Sequence, residues 1–298
     1  MKSVSSFSLR GSSFGVQYLV RALSLMLLTS VMFGQTVKIL VNFNGANGDN
    51  PWGGTWTQGR DGKLYGTTSM GGSFRDGNFL RFDPATQNVA VYHSFSGTDG
   101  GQPYGGVTLG SDNNFYGTTI KGGGTSGFNL GVLYKITVNG TYTILHIFTG
   151  GSDGGCPNGP PIEATDGNLY GATYGDCFST PFIPSTIYKL TRNGVYSVIY
   201  TFNKATTGFG AGNLMQGSDG KLYVPAQLGG PGCGSGGTIV KVALYGGLLA
   251  THPFFCSPDM NRILLPSHRL RMATITARHC GGEPHSGTLC FSLHLRSE

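Results

Sequence analysis

Short runs of alternating apolar and polar residues, separated by glycine-rich segments, follow one another from residue 37 to residue 254. Alternation with a period of two is typical of β-strands that bury one face. Four kinds of run recur in a fixed order. Type A precedes an Asp-Gly turn, type B contains Leu-Tyr-Gly or a variant of it, type C contains an apolar residue before lysine or arginine, and type D ends in phenylalanine. The pattern therefore predicts an all-β protein.

The B strands set the period of this repeat. Their tyrosines are 51, 54 and 53 residues apart, at Tyr65, Tyr116, Tyr170 and Tyr223. Four short strands in about 50 residues is the size of one propeller blade. One blade cannot bury both faces of its sheet alone, so neighbouring blades must supply the core. The sequence predicts a β-propeller of about four four-stranded blades in a repeat domain over residues 35–254.

An additional D-type run, VKILVNF, occupies residues 37–43. This strand would close the ring if it paired with the last blade, or it would belong to a blade that is missing. The sequence leaves open whether the ring is complete or incomplete.

Two kinds of connection alternate along the repeat. Asp-Gly and Asn-Gly dipeptides join A to B and C to D, and both favour tight hairpins. The B–C and D–A connections are long and rich in glycine. The short turns therefore lie at one end of the sheets, and the long loops lie at the opposite end. Functional residues on a rigid scaffold usually lie in such loops. In the motif DGKLYGTT at 61–68, Gly66 is expected to allow the close approach of a neighbouring blade.

The order of these motifs, D-G-x-L-Y-G-T-T followed by a Gly-Gly loop and G-x-x-Y/F-K, resembles the GloVer-type tandem repeat of exported bacterial "choice-of-anchor" proteins. The resemblance covers residues 37–254, although VPA at 224–226 replaces Gly-Thr-Thr in the fourth repeat. It implies a propeller-like fold and an exported or surface location, and it implies no activity and no catalytic residues.

The two ends of the chain differ from the repeat. Residues 1–34 carry three basic and no acidic residues and include an apolar run at 22–33, which predicts a signal peptide and a secreted or cell-surface protein. After cleavage no membrane span is expected. The repeat domain has twelve basic and eleven acidic residues, a net charge of +1, which argues against nucleic acid as a partner. Residues 255–298 lack the repeat, and we predict a disordered or frameshift-derived tail.

Cysteine positions suggest one disulfide bond. Cys156 and Cys177 flank the third A–B hairpin at equal distances from its turn, so their side chains should face each other. A bridge is chemically reasonable in an exported protein, and two free thiols are the alternative. No zinc-ligand spacing is present, so no metal site is predicted.

Candidate ligand contacts lie in the D–A and B–C loops. Acidic residues recur in the D–A loops at Asp49, Asp99 and Asp153. They could bind calcium or sugar hydroxyls, but closure of their own loops by side-chain hydrogen bonds is favoured. The predicted ligand-binding residues are Asp99, Tyr104, Phe128, Asp153 and Tyr174.

Catalytic groups are scarce. Glu163 is the single glutamate within residues 35–254 and the only weak catalytic candidate, whereas a glycosidase or lyase needs two placed groups. The sequence favours an exported binding module for glycans or proteins, without a required cofactor. The alternatives are a polysaccharide lyase or glycosidase on a propeller scaffold, and a truncated, non-functional remnant.

Overall fold

The computed structural model describes residues 38–51, 55–124, 130–175, 183–231 and 236–254, and the backbone of residues 273–279 and 289–295. Its strands, in chain order, are β1 (Thr57–Gln58), β2 (Leu64–Thr68), β3 (Asn78–Asp83), β4 (Asn88–Ser94), β5 (Val107–Leu109), β6 (Asn114–Thr118), β7 (Val132–Thr137), β8 (Tyr142–Ile147), β9 (Ile162–Glu163), β10 (Leu169–Ala172), β11 (Thr186–Leu190), β12 (Tyr196–Thr201), β13 (Phe209–Ala211), β14 (Met215–Gln216), β15 (Leu222–Leu228), β16 (Thr238–Val242), β17 (Leu248–Pro253), β18 (Ala273–His279) and β19 (Leu289–Leu295).

Strands β1 to β17 build four successive antiparallel sheets, which we call blades 1 to 4. Blades 1, 2 and 3 are the meanders β1–β4, β5–β8 and β9–β12. Blade 4 contains β15, β16 and β17, and its A position is divided between β13 and β14, which both pair with β15. The predicted fold class, an all-β propeller with four-stranded blades, is confirmed.

Tight Asp-Gly turns fix the register of strands A and B. In blade 3 the turn between β9 and β10 places Glu163 opposite Leu169, and Gly167 at its centre has a φ of 74°. Such a positive φ is accessible to glycine at little steric cost. The equivalent glycines at the A–B turns of blades 1 and 4 have φ values of 76° and 74°.

The glycine of the Leu-Tyr-Gly motif makes room for a ring within its own blade. Gly117 pairs with Tyr134 across β6 and β7, and a Cβ atom on Gly117 would lie 2.3 Å from the Tyr134 hydroxyl. Gly171 and Tyr188 repeat this arrangement in blade 3. In blade 1 the ring of Trp56, which immediately precedes β1, takes that space. The expectation that a neighbouring blade approaches here is therefore corrected.

Three hydrophobic clusters form the core, and each lies between two successive blades. The first joins blades 1 and 2 and contains Tyr65, Phe79, Phe95, Val107, Phe115, Val132, Tyr134 and Ile136. The second joins blades 2 and 3 through Leu130, Leu133, Phe148, Cys156, Leu169, Ile183, Tyr188 and Leu190. The third joins blades 3 and 4 through Ala164, Tyr170, Ala172, Ile187, Phe202, Ala211, Leu214, Leu222, Val224, Ala226, Val240 and Val242.

The start of the repeat differs from the expectation drawn from the sequence. Residues 38–42, the described part of an N-terminal unit, contain no strand, and neither do residues 43–44 at the start of the second unit. The prediction of a strand over 37–43 is thus wrong for the described positions. In the predicted tail, β18 and β19 pair as a separate two-stranded sheet. Among the described residues, no helix is long and apolar enough to cross a membrane.

Candidate ligand-binding site

The short A–B and C–D turns lie at one end of the sheets, which we call the turn face. In blade 3, Asp166 accepts hydrogen bonds from the Asn168 backbone at 3.1 Å and from the Tyr170 hydroxyl at 2.7 Å. Burial opposes ionisation of Asp166, but hydrogen bonds from Asn168 and Tyr170 outweigh it and hold its pKa at about 2. The same Asp–Tyr hydrogen bond occurs in the other blades, at Asp61–Tyr65, Asp112–Tyr116 and Asp219–Tyr223. The repeated motif is therefore a scaffold element.

Glu163 also belongs to the turn face. Its carboxylate accepts the backbone N–H of Ser111 at 2.6 Å and the hydroxyl of the same serine. Arg192 forms an ion pair with it at 3.0 Å and also donates to the Ser111 hydroxyl. Because Ser111 lies in blade 2, these contacts fasten the turns of blades 2 and 3 to each other.

The B–C and D–A loops lie at the opposite end, the loop face, and pairs of glycines hold them together. The Gly123 N–H donates to the Gly97 carbonyl at 3.0 Å, and a Cβ atom on Gly122 would lie 2.2 Å from that oxygen. Equivalent bonds join Gly72 to the Gly45 carbonyl and Gly230 to the Lys204 carbonyl. The repeated glycine pairs are thus also part of the scaffold.

The predicted ligand residue Asp153 closes its own loop. Its carboxylate accepts the Thr149 N–H at 2.9 Å and lies 3.1 Å from Nε2 of His146. The imidazole of His146 stacks on Tyr196 of the next blade, with ring centroids 3.6 Å apart. Burial lowers the pKa of His146 below its ordinary value of 6.5, against the opposing effect of Asp153.

Asp99 has the same surroundings one blade earlier. Its carboxylate accepts the Ser96 N–H at 2.8 Å and lies 3.0 Å from Nε2 of His93. His93 stacks on Tyr142 at 4.1 Å, and burial lowers its pKa too, although Asp99 opposes this shift. The loop-closing role favoured from the sequence is therefore present at both aspartates.

Two of the three remaining predicted residues, Tyr104 and Tyr174, are described. Tyr104 is half-buried in the loop that precedes β5. Tyr174 packs against the core between blades 2 and 3, and its ring lies 3.1 Å from where a Cβ on Gly210 would be. Phe128 lies outside the described residues. A direct ligand role for these residues and for the two loop aspartates stays a prediction.

The predicted disulfide involves one described residue. Cys156 is disulfide-bonded and has a positive φ of 51°. Its carbonyl accepts the Tyr174 N–H at 3.0 Å, which ties the D–A loop to the end of β10. Cys177 lies outside the described residues, so the pairing of Cys156 with Cys177 stays a prediction.

An open cavity of about 500 Å³ lies on the loop face between blades 1 and 2. Its wall combines a carboxylate, an ammonium group, two hydroxyls and glycine backbone, from Asp76, Ser96, Gly97, Thr98, Lys121, Gly122 and Gly124. Three loops contribute: the B–C loops of blades 1 and 2, and the D–A connection between them. Closely spaced donors and acceptors of this kind suit a polar ligand.

Sequence reasoning missed the cavity because its residues do not recur from blade to blade. Asp76 stands where the next repeat has Leu130, 54 residues later. A search for repeated loop acids therefore selects Asp99 and Asp153, and it passes over an acid that occurs once. The sequence did contain one indication of the cavity, because a carboxylate and a leucine stand at the same repeat position. Among the described residues, no group of three or more His, Cys, Asp or Glu side chains could hold a metal ion.

Four successive four-stranded blades with loops gathered on one face define a β-propeller-type repeat protein. The sequence matches the model of the Gloeobacter/Verrucomicrobia repeat family over residues 28–180, about half of the chain. The chain belongs to this repeat family, as the resemblance of its motifs indicated.

Solved structures with a similar arrangement are distant in sequence. A streptogramin B lyase is 16% identical, with a TM-score of 0.47, over 69% of this chain and 56% of that one. TolB from Acinetobacter baumannii is 16% identical, with a TM-score of 0.46, over 74% and 47%. The chain thus spans about half the length of these two proteins. No curated protein sequence matches the chain significantly.

Proposed function

We propose that this protein is an exported interaction module without catalytic activity, which binds glycans or proteins through its loop face. The single observation that carries the proposal is the open polar cavity between blades 1 and 2 on that face. On the turn face, by contrast, the repeated aspartates and tyrosines bond each other within each blade. A ligand would therefore find its polar partners on the loop face.

Export is supported by two features. The basic residues before the apolar run at 22–33 are typical of a signal peptide. The disulfide bond at Cys156 suits an oxidising compartment.

The binding role is favoured over a glycosidase or lyase by the surroundings of Glu163. Its carboxylate is held by Ser111 and Arg192 and links two blades. A general acid must instead reach a substrate oxygen and change its protonation state during the reaction. The contacts of Glu163 are those of a structural residue.

Two exposed aromatic residues on opposite faces allow a matched test. Phe74 lies in a loop of the loop face and is 60% exposed, and Tyr245 lies in the last C–D turn and is 84% exposed. The full-length chain is applied to an array of oligosaccharides and purified extracellular proteins. We expect Phe74→Ala to weaken binding at least about threefold, because exposed aromatic rings at binding surfaces contribute contact area.

Tyr245→Ala is the matched control and should leave binding unchanged. If no compound on the array binds, or if only Tyr245→Ala weakens binding, the proposed function is wrong. Release of sugar or of an unsaturated product from a bound polysaccharide would instead support the enzyme alternative.

A further inference from the structure

Asp76 occupies a position that belongs to the hydrophobic core in the next repeat. In blade 2 the equivalent residue is Leu130, which is 1% exposed. Both residues make a parallel bridge to the first glycine of the Gly-Gly pair, Asp76 to Gly71 and Leu130 to Gly122. The two backbones therefore follow the same path into the loop face.

The surroundings of the two side chains also correspond. A Cβ atom on Gly150 would lie 2.4 Å from a methyl group of Leu130, and one on Gly155 would lie 3.1 Å from its Cβ. The glycines that face Asp76 are Gly97 and Gly101. A Cβ atom on Gly97 would lie 3.2 Å from Oδ2 of Asp76, and one on Gly101 would lie 3.3 Å from the Cβ of Asp76. The carboxylate of Asp76 thus fills the space that the next blade fills with an aliphatic side chain.

This half-buried carboxylate has no ion pair and accepts no hydrogen bond from any residue that the structure describes. Because Asp76 lines the open cavity, its carboxylate is accessible to a ligand. The loop aspartates Asp99 and Asp153 differ, since each accepts hydrogen bonds from its own loop. At a cavity wall, a carboxylate that is not engaged by the described part of the protein can accept hydrogen bonds from a ligand.

The chemistry of the cavity limits that partner. Lys121 lies in the same wall as Asp76, so the wall carries charges of both signs and a cationic ligand is disfavoured. Ser96, Thr98 and the glycine backbone supply further donors and acceptors. The volume of about 500 Å³ lies in the range of small-ligand sites, roughly 300–1,000 Å³. These properties fit a neutral, hydroxyl-rich ligand.

We propose that the cavity binds one or two sugar units of a neutral glycan, with Asp76 accepting hydrogen bonds from two adjacent hydroxyls. This proposal rests on the proposed function and names its ligand class. Phe74, two residues before Asp76, exposes its aromatic ring in the same B–C loop.

The test uses the neutral oligosaccharide that binds best on the array, with affinity measured by isothermal titration calorimetry. We expect Asp76→Asn to weaken binding about tenfold, because hydrogen bonds to a charged acceptor are stronger than those to a neutral one. Asp76→Leu, which copies Leu130, should abolish measurable binding. Asp83→Asn removes an acid at the C–D turn of blade 1 and should bind as the unaltered chain does.

A second measurement does not depend on the ligand. If the space around Asp76 suits an aliphatic side chain as the space around Leu130 does, Asp76→Leu should raise the midpoint of thermal unfolding by about 2–4 °C. A lower midpoint would contradict the correspondence with Leu130 and would overturn the proposal.

The remaining outcomes separate this proposal from the proposed function. Unchanged glycan affinity in both Asp76 variants, together with weaker binding by Phe74→Ala, would overturn the site and leave the loop-face function intact. Binding of proteins but of no neutral glycan would also overturn it. If a chelator abolishes binding and calcium restores it, Asp76 is a cation ligand and the direct hydrogen bonds are wrong.

Discussion

The interface between blades 2 and 3 and the interface between blades 3 and 4 use the same backbone arrangement with different side chains. In the former, the buried rings of Phe148 and Tyr188 contribute to the core. In the latter, alanine, valine and leucine predominate, and β15 and β16 contribute only aliphatic residues. The contrast is clearest at one cross-strand pair.

In blades 2 and 3 this pair is a glycine opposite a tyrosine, as in Gly117–Tyr134. In blade 4 it is Val224 opposite Val240, with both side chains fully buried. The tyrosine with its large side chain and the glycine without one are thus replaced by two valines of intermediate size. Blades 2, 3 and 4 therefore fill a similar volume with this pair of strands, and the division of that volume between the strands varies.

A second contrast concerns strand D. His146 stacks on the first tyrosine of the next D strand, and His93 does the same. At the equivalent position of blade 3 stands Tyr200, which keeps the edge-on contact with the terminal phenylalanine, here Phe202. An aromatic ring occupies this position in blades 1, 2 and 3, and the imidazole adds a charge that depends on pH.

The largest effect is expected from overfilling the Gly117–Tyr134 pair. Gly117→Val should lower the free energy of unfolding by about 3 kcal/mol, because its side chain would overlap the Tyr134 ring. Tyr134→Val should also cost about 3 kcal/mol, through the cavity that it leaves. The double variant copies Val224–Val240 and should cost clearly less than the sum. Denaturant unfolding of all four proteins measures this coupling, and additivity within about 0.5 kcal/mol would refute volume sharing.

A smaller effect is expected at the stacked histidine. His146→Ala should lose about 2 kcal/mol, since it removes the ring that packs on Tyr196. His146→Tyr copies Tyr200 and should retain most of the stability. Thermal unfolding of the two variants compares them directly. Equal losses would show that the position does not select for an aromatic ring.

The histidines also predict that the first two interfaces respond to mild acid. Burial places the pKa of His93 and His146 below 6.5 in the folded chain, so the unfolded chain binds more protons below that pH. The free energy of unfolding should therefore fall as the pH is lowered from about 7 through 6.5. Replacing both histidines by tyrosine should flatten the dependence. An unchanged slope in that variant would assign the effect to other groups.

The smallest effect concerns the hydroxyl of Tyr134, which is buried and has no hydrogen-bond partner in the described part of the chain. Tyr134→Phe should change the free energy of unfolding by less than about 0.5 kcal/mol, or stabilise the protein slightly, because no bond is lost. Tyr170→Phe is the matched comparison and should cost about 1 kcal/mol, since Asp166 loses a donor. Equal costs, measured by chemical unfolding, would indicate that Tyr134 has a partner in solution.

Much of the scaffold was predictable because its determinants are local. Asp-Gly turns and alternating strands recur with each blade, and both depend on the nearest neighbours in sequence. The strand over 37–43 was predicted on the same grounds and is absent at its described positions. Alternation alone does not make a strand, because a strand also needs a partner for its backbone groups.

The candidate site was predictable only in its location on the loop face. Repeated acids directed attention to Asp99 and Asp153, which the structure shows closing their own loops. The cavity depends on three loops from two blades, and no local pattern reports which side chains meet there. Asp76 became notable only when its space could be compared with that of Leu130.

The sequence by itself determined the period, the strand order within each blade and the two unequal faces, because turn chemistry and alternation act over a few residues. The tertiary structure decided how volume is shared between facing strands, which histidines stack and that the carboxylate of Asp76 has no partner among the described residues. These properties depend on packing between segments that are not adjacent in sequence, where the space left by one side chain sets what its neighbour can be.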